Sequence, residues 1–214
     1  MGTHSELRKA AVAAFVTAGL LTASLVLLHG GPRAAHPNAV LAWHADNAVA
    51  IKAGMITWML AMLGLVVFAV SFREALWASV ADRSWMTVLF LQGASVFATI
   101  AVVSGAIGWA LADQAAADAI SAELAGTIWA IELTLLRFAT WGFTVPLGVA
   151  GLVLYRHSVL GQVCAVAALL LIIALLWPLT WAVALHVFPA WLALAGLALL
   201  VRASGRVSED ALQR

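Results

Sequence analysis

The sequence predicts an all-helical, single-domain bundle of six membrane spans covering residues 1–214, and three observations lead there. Hydrophobic residues make up 64% of the chain and charged residues only 10%, with a mean hydropathy of +1.04. That is more apolar surface than a water-soluble domain of 214 residues can bury. The apolar residues also fall into separate runs, each long enough at about 1.5 Å per residue to cross roughly 30 Å of hydrocarbon. Finally, positive charge alternates with the connections. Arg8, Lys9, Arg73, Arg83, Arg156, Arg202, Arg206 and Arg214 gather on one side, against Arg33 and Lys52 on the other. Lys and Arg stay on the cytoplasmic side of a membrane, so both termini are expected there.

In order, the first span is expected over residues 10–28, behind a short polar lead that carries Arg8 and Lys9. The His-Gly-Gly-Pro that follows is a poor cleavage site, so this run reads as a retained helix rather than a signal peptide. Gly30, Gly31, Pro32 and Pro37 then break helix, leaving Ala39 to Trp43 to form a short interfacial turn. Asp46 or Asn47 offers an N-cap to the second span, residues 49–72. A polar connection with Arg73, Glu74, Asp82 and Arg83 follows, in which Leu76 and Trp77 rest on the bilayer surface. The third span, 85–111, holds Gln92, Ser95, Thr99 and Ser104 among small residues, the composition of a well-packed central helix. An acidic loop, Asp113 to Glu123, leads into the fourth span, 124–155, which Pro146 is placed to kink. The fifth is 159–177, with Pro178 starting a tight turn into the sixth, 180–201, and a polar tail, mobile at its end, closes the chain. Tryptophans mark the interfaces: Trp43, Trp109, Trp177 and Trp181 outside, Trp77, Trp85 and Trp141 inside, with Trp58 and Trp191 nearer the middle.

Several function classes are excluded. Cys164 is the one cysteine, so no intrachain disulfide or cysteine-rich metal site is possible. No phosphate-binding loop, zinc-protease helix or nucleophile elbow is present. A net charge of +1 without a basic cluster gives nucleic acid nothing to bind. His29, His36, His44 and Asp46 share one connection, but their spacing gives no one-face helical pair, so no metal site is expected. His186 alone lies well within a span, so no haem or other cofactor is expected either.

What chemistry there is centres on Glu132 and Arg137, both inside the fourth span. An ionisable side chain at that depth costs about 2.5–3.5 kcal/mol on insertion scales, so each should face the protein interior. Five residues of helix is about 140° of net rotation, so the two do not pair and need partners from other helices. Laid into the bilayer at helical rise, Thr57, Thr99, Glu132 and His186 fall in an outer layer and Gln92 and Arg137 in an inner one. The expected contacts are Glu132 with His186 and Arg137 with Gln92. With Trp58 these residues form the candidate polar cluster. It supports three readings: a membrane protein whose cluster joins helices and binds a lipophilic small molecule, an intramembrane enzyme using Glu132 as general acid on an isoprenoid or lipid-like substrate, or a small proton-coupled carrier. The bilayer is the partner in every case, and the oligomeric state is left open.

Between Gly142 and Leu176 a helix closes with Gly-Val-Ala-Gly-Leu-Val-Leu-Tyr-Arg-His-Ser-Val-Leu-Gly and another apolar helix follows. This segment resembles a family of bacterial six-span membrane proteins known only by a domain-of-unknown-function label, with His157 set between Arg156 and Ser158 here. The resemblance implies a compact six-helix bundle with cytoplasmic ends, in a bacterial inner membrane. It implies no reaction and no catalytic residues.

Overall fold

A computed structural model describes residues 4–29, 31, 36–76, 84–155, 158–177 and 180–212. Among them every regular element is helical: α1 (His4–Leu27), α2 (Pro37–Asp46), α3 (Ala48–Leu76), α4 (Ser84–Ala116), α5 (Ala122–Tyr155), α6 (Val159–Leu176) and α7 (Trp181–Leu212). All but α2 are long and apolar enough to cross a membrane, which makes six candidate spans. The chain is a multi-pass membrane protein. The expected interfacial turn at Ala39 to Trp43 is instead the middle of a ten-residue helix that starts with Pro37, a residue whose fixed φ suits the first helical position. Asn47 sits between α2 and α3, and its side-chain amide donates back to the Trp43 carbonyl, closing α2. The polar segment after Val201, expected as a loose tail, continues α7 to Leu212. Expectations for Arg33, Trp77, Asp82, Arg83, Arg156, His157, Pro178 and Arg214 fall outside the described residues, as do the side chains of Leu76 and Arg206.

The six long helices close a ring in chain order: α1 packs on α3, α3 on α4, α4 on α5, α5 on α6, α6 on α7, and α7 returns to α1. Six alternating traverses bring the start of α1 and the end of α7 to the same end of the bundle. One continuous apolar cluster joins all six helices. Its aromatic spine crosses from α4 to α7, with ring centroids 4.7 Å apart for Phe97–Phe143, 5.2 Å for Phe143–Phe188 and 6.0 Å for the stacked Phe188–Trp191 pair.

Lipid tails are as apolar as leucine, so membrane helices gain little by hiding apolar surface from lipid and depend on close packing and interhelical hydrogen bonds. Both are visible. Indole N–H groups reach backbone carbonyls of neighbouring helices: Trp58 to Ala101 at 2.9 Å, Trp141 to Leu175 at 3.1 Å and Trp191 to Cys164 at 3.0 Å. At Ala101 and Cys164 the indole uses the second lone pair of a carbonyl engaged in its own helix, and at Leu175 it satisfies a carbonyl of the last turn of α6. On α4, Gly93 makes room for the ring of Pro146 on α5; a Cβ there would lie 2.7 Å from the proline Cγ. At the start of α6, Ser158 Oγ accepts from the Gly161 N–H at 3.0 Å, and a Cβ on Gly161 would run into the Leu154 carbonyl.

These contacts also set the relative heights of the helices. Trp141 bonds beside the last turn of α6, Arg137 lies over the ring of Trp181 at the first residue of α7, and Gly54 faces Leu28 just past the end of α1. α6 and α7 therefore stop near the level of Arg137 and Trp141, α1 stops a little higher, near the level of Glu132, and α3, α4 and α5 run on past all three. For α5 the excess over α7, residues 122 to 136, is about 20 Å. The surplus length of the fourth span projects past the ends of α6 and α7. Trp141, expected at the inner interface, belongs at the same end as Trp181. α2 packs on the projecting ends to make a four-helix cap, with Val40 against Leu111 and Ala125, and Pro37 against Gly126.

Two substitutions test this packing by unfolding in detergent. Trp191→Phe keeps the ring but removes the bond to Cys164, and should cost about 1 kcal/mol. Gly93→Ala forces a methyl into the Pro146 ring and should cost about 1–3 kcal/mol.

A buried polar cluster beneath the α2 cap

His44, on α2, is fully buried, with its Nδ1 2.8 Å from the Val40 carbonyl oxygen one turn earlier. A carbonyl only accepts, so Nδ1 carries the proton and Nε2 presents a lone pair. That Nε2 is buried and has no hydrogen-bond partner. Burial lowers the pKa of the imidazole, partly opposed by the bond to Val40, so the ring is held neutral. Beside it stands Trp129 of α5, ring centroids 5.1 Å apart and nearly perpendicular; its Nε1–H is likewise buried without a partner. Trp43 lies against both rings.

Glu132 follows Trp129 by one turn on α5. It is 5% exposed, and its Oε2 has no partner. α4 makes room for the carboxyl at Gly108, where a Cβ would come within 2.8 Å of Glu132 Oε1 and 2.5 Å of Met55 Cε from α3. Ser104 Oγ lies 3.5 Å from the Glu132 backbone oxygen, a long contact that leaves the carboxyl untouched. An imidazole acceptor on α2 and, one turn apart on α5, an indole donor and a carboxyl thus each leave a buried polar atom unused. On the outer side of the same α4–α5 seam runs an apolar groove of about 330 Å³, lined by Ile107, Ala110, Leu111, Gln114, Ile120, Ile128 and Ile131. Leu111 belongs both to its wall and to the layer that carries α2. At the rim, Lys52 of α3 forms an ion pair with Asp113 of α4, which also accepts from the Trp109 indole at 2.9 Å. Asp113, expected in a loop, is therefore part of α4.

The other expected site residues are scattered. His186 is exposed on α7, its Nδ1 2.7 Å from the Ala182 oxygen, and it does not meet Glu132. Depth counting had matched the two by letting the fourth span enter the bilayer near Glu123; because α5 projects, Glu132 lies beyond the start of α7. Arg137 is half-buried, with its guanidinium carbon 5.9 Å from the Trp141 ring centre and 5.7 Å from that of Trp181, while Gln92 is exposed on α4. Thr99 is exposed and bonds the Ser95 carbonyl, and Thr57 bonds Gly54 and Ala53, all on their own helices. Trp58 is buried in the core, its indole N–H on Ala101. Sequence reasoning weighs His44 only as a metal ligand and gives Trp129 no role. The signal for His44 was Pro37 at the head of a short helix that places Val40 and His44 on one face. Among the described residues no three metal-ligating side chains come together.

Comparison with protein-family models, with curated proteins and with solved structures finds no match to this chain.

The depressed pKa of His44 has a definite sign. Its ring stays neutral in the folded chain below the ordinary value of about 6.5, where the unfolded chain takes up a proton. Stability is therefore full above that pH and falls as pH drops through and below it. Melting temperature measured from pH 8 to pH 5 should show the decline, and His44→Phe should flatten it.

Proposed function

We propose that this chain is a binding protein of a bacterial inner membrane, with cytoplasmic termini, that holds a lipophilic small molecule in its α2 cap. The polar end of the ligand meets His44, Trp129 and Glu132, and its apolar body lies along the α4–α5 groove. The observation that carries this reading is the set of three polar atoms buried without partners on α2 and α5, His44 Nε2, Trp129 Nε1 and Glu132 Oε2. Leaving such a group unsatisfied costs about 1–3 kcal/mol, so the cluster opposes folding unless something supplies the missing bonds. A ligand head with both a donor and an acceptor does so. Gln92 and Thr99 on α4 and His186 on α7 are exposed and form no path with Glu132 among the described residues, which favours binding over proton transport. An enzymatic role for Glu132 as general acid needs the same pocket and follows only if the bound molecule is altered.

Glu132→Leu separates a binding cluster from a structural clasp. Stripped of ligand in detergent, the variant should be more stable than the parent by about 1–3 kcal/mol, because a buried unsatisfied carboxyl is gone. Mass spectrometry of gently extracted protein should find a lipophilic molecule on the parent and none on Glu132→Leu. A variant less stable than the parent, or a parent that carries no such molecule, overturns the reading.

A further inference from the structure

At the opposite end of the bundle from the cap, a furrow of about 600 Å³ runs along the seam between α1 and α3. Its two ends differ in chemistry. Gly64 is fixed level with Thr17, since a Cβ there would lie 2.6 Å from the threonine Oγ1. α1 and α3 are antiparallel, so going from Gly64 to Ser71 on α3 means going from Val16 toward Arg8 on α1, about 12 Å of helix. Arg8, Lys9 and Ser71 thus form a polar head, while Val12, Val16 and Val67 wall an apolar channel floored by the small residues Ala13 and Gly64. Glu6 holds the Lys9 ammonium at 2.8 Å, and Glu74 of α3 lies beside that pair, so Lys9 is already balanced by carboxylate. Among the described residues the Arg8 guanidinium forms no hydrogen bond or ion pair.

We infer that this furrow is a binding site for one anionic phospholipid of the adjacent leaflet, with its phosphate on Arg8 and an acyl chain along Val12, Val16 and Val67. Charge complementarity selects the occupant. An unpaired guanidinium at membrane-surface level is a bidentate phosphate donor, and a channel of valines beginning beside it suits the chain attached to that phosphate. A zwitterionic lipid fills the channel equally well but brings its own cation to the head, so it forgoes most of this attraction. The site is independent of the cap and of any molecule bound there.

The test is native mass spectrometry of the full chain in neutral detergent, given an equimolar mixture of phosphatidylglycerol and phosphatidylcholine with identical acyl chains. The protein should retain phosphatidylglycerol over phosphatidylcholine by about five- to tenfold. Arg8→Gln should bring the ratio within about twofold of parity. Val67→Trp, which fills the channel and leaves both cations in place, should abolish retention of either lipid. Inorganic phosphate at the same concentration should displace nothing. Arg8 and Val67 are both exposed, so neither change disturbs the core. Equal retention of the two lipids by the parent, a preference that survives Arg8→Gln, retention that survives Val67→Trp, or displacement by phosphate would each overturn the assignment.

Discussion

The bond from the Trp141 indole to the Leu175 carbonyl fixes where α5 stands against α6, and the rest of the architecture depends on that height. α6 has 18 residues, just enough to cross hydrocarbon, whereas α5 has 34. Two helices so unequal can be matched at either end. Tied at Trp141, α5 is flush with α6 at the turn near Ser158 and carries its whole excess past the other end. Arg137 over Trp181 repeats the constraint against α7. The excess would be an unsupported rod if α3 and α4 did not run up beside it, and α2 seals what the three enclose.

Inside the ring the balance is different. Helices that gain little from burial against one another must meet closely, and the contacts that let them do so are small and local: Gly93 under Pro146, Gly151 against Ala168 and Ala165, Gly196 against Ala11 and Ala14. Indole-to-carbonyl bonds add direction to this packing. At Ala101 and Cys164 a carbonyl already engaged in its own helix keeps a lone pair, which a tryptophan from the next helix uses without breaking a turn, and at Leu175 the indole satisfies a carbonyl left open at the end of α6. Three of the four helix seams on the α3-to-α7 side are tied this way. Aromatic rings fill the centre, so the interior is a core and not a conduit.

Much of the fold was legible because span number depends only on run length and breaks, which Gly, Pro and charge announce directly. Height was not legible. Hydropathy assigns the same score to an apolar turn whether it lies in lipid or under a capping helix, so residues 124 to 136, part of the expected fourth span, carry no sign that they also wall the cap. Counting depth from Glu123 therefore brings Glu132 toward His186 and Trp141 toward the other end. Glu132 itself stood out because a carboxyl among apolar residues is rare at any height. Its neighbours did not: His44 and Trp129 come from segments more than 80 residues apart, and only tertiary packing brings an imidazole lone pair and an indole N–H side by side.

Height also explains how a cluster of unpartnered polar atoms persists. At the bilayer centre an ionisable group costs several kcal/mol more than at the rim, where water and head groups lie within a few ångströms. Glu132 sits beyond the level where α6 ends and α7 begins, and its carboxyl is enclosed by side chains of α3 and the backbone of α4. On the binding role proposed above, the same position suits an amphiphile, whose polar end would lie at this level with its apolar body beside α4 and α5. Leu111, shared between the groove and the layer under α2, ties the wall of the groove to the seating of the capping helix.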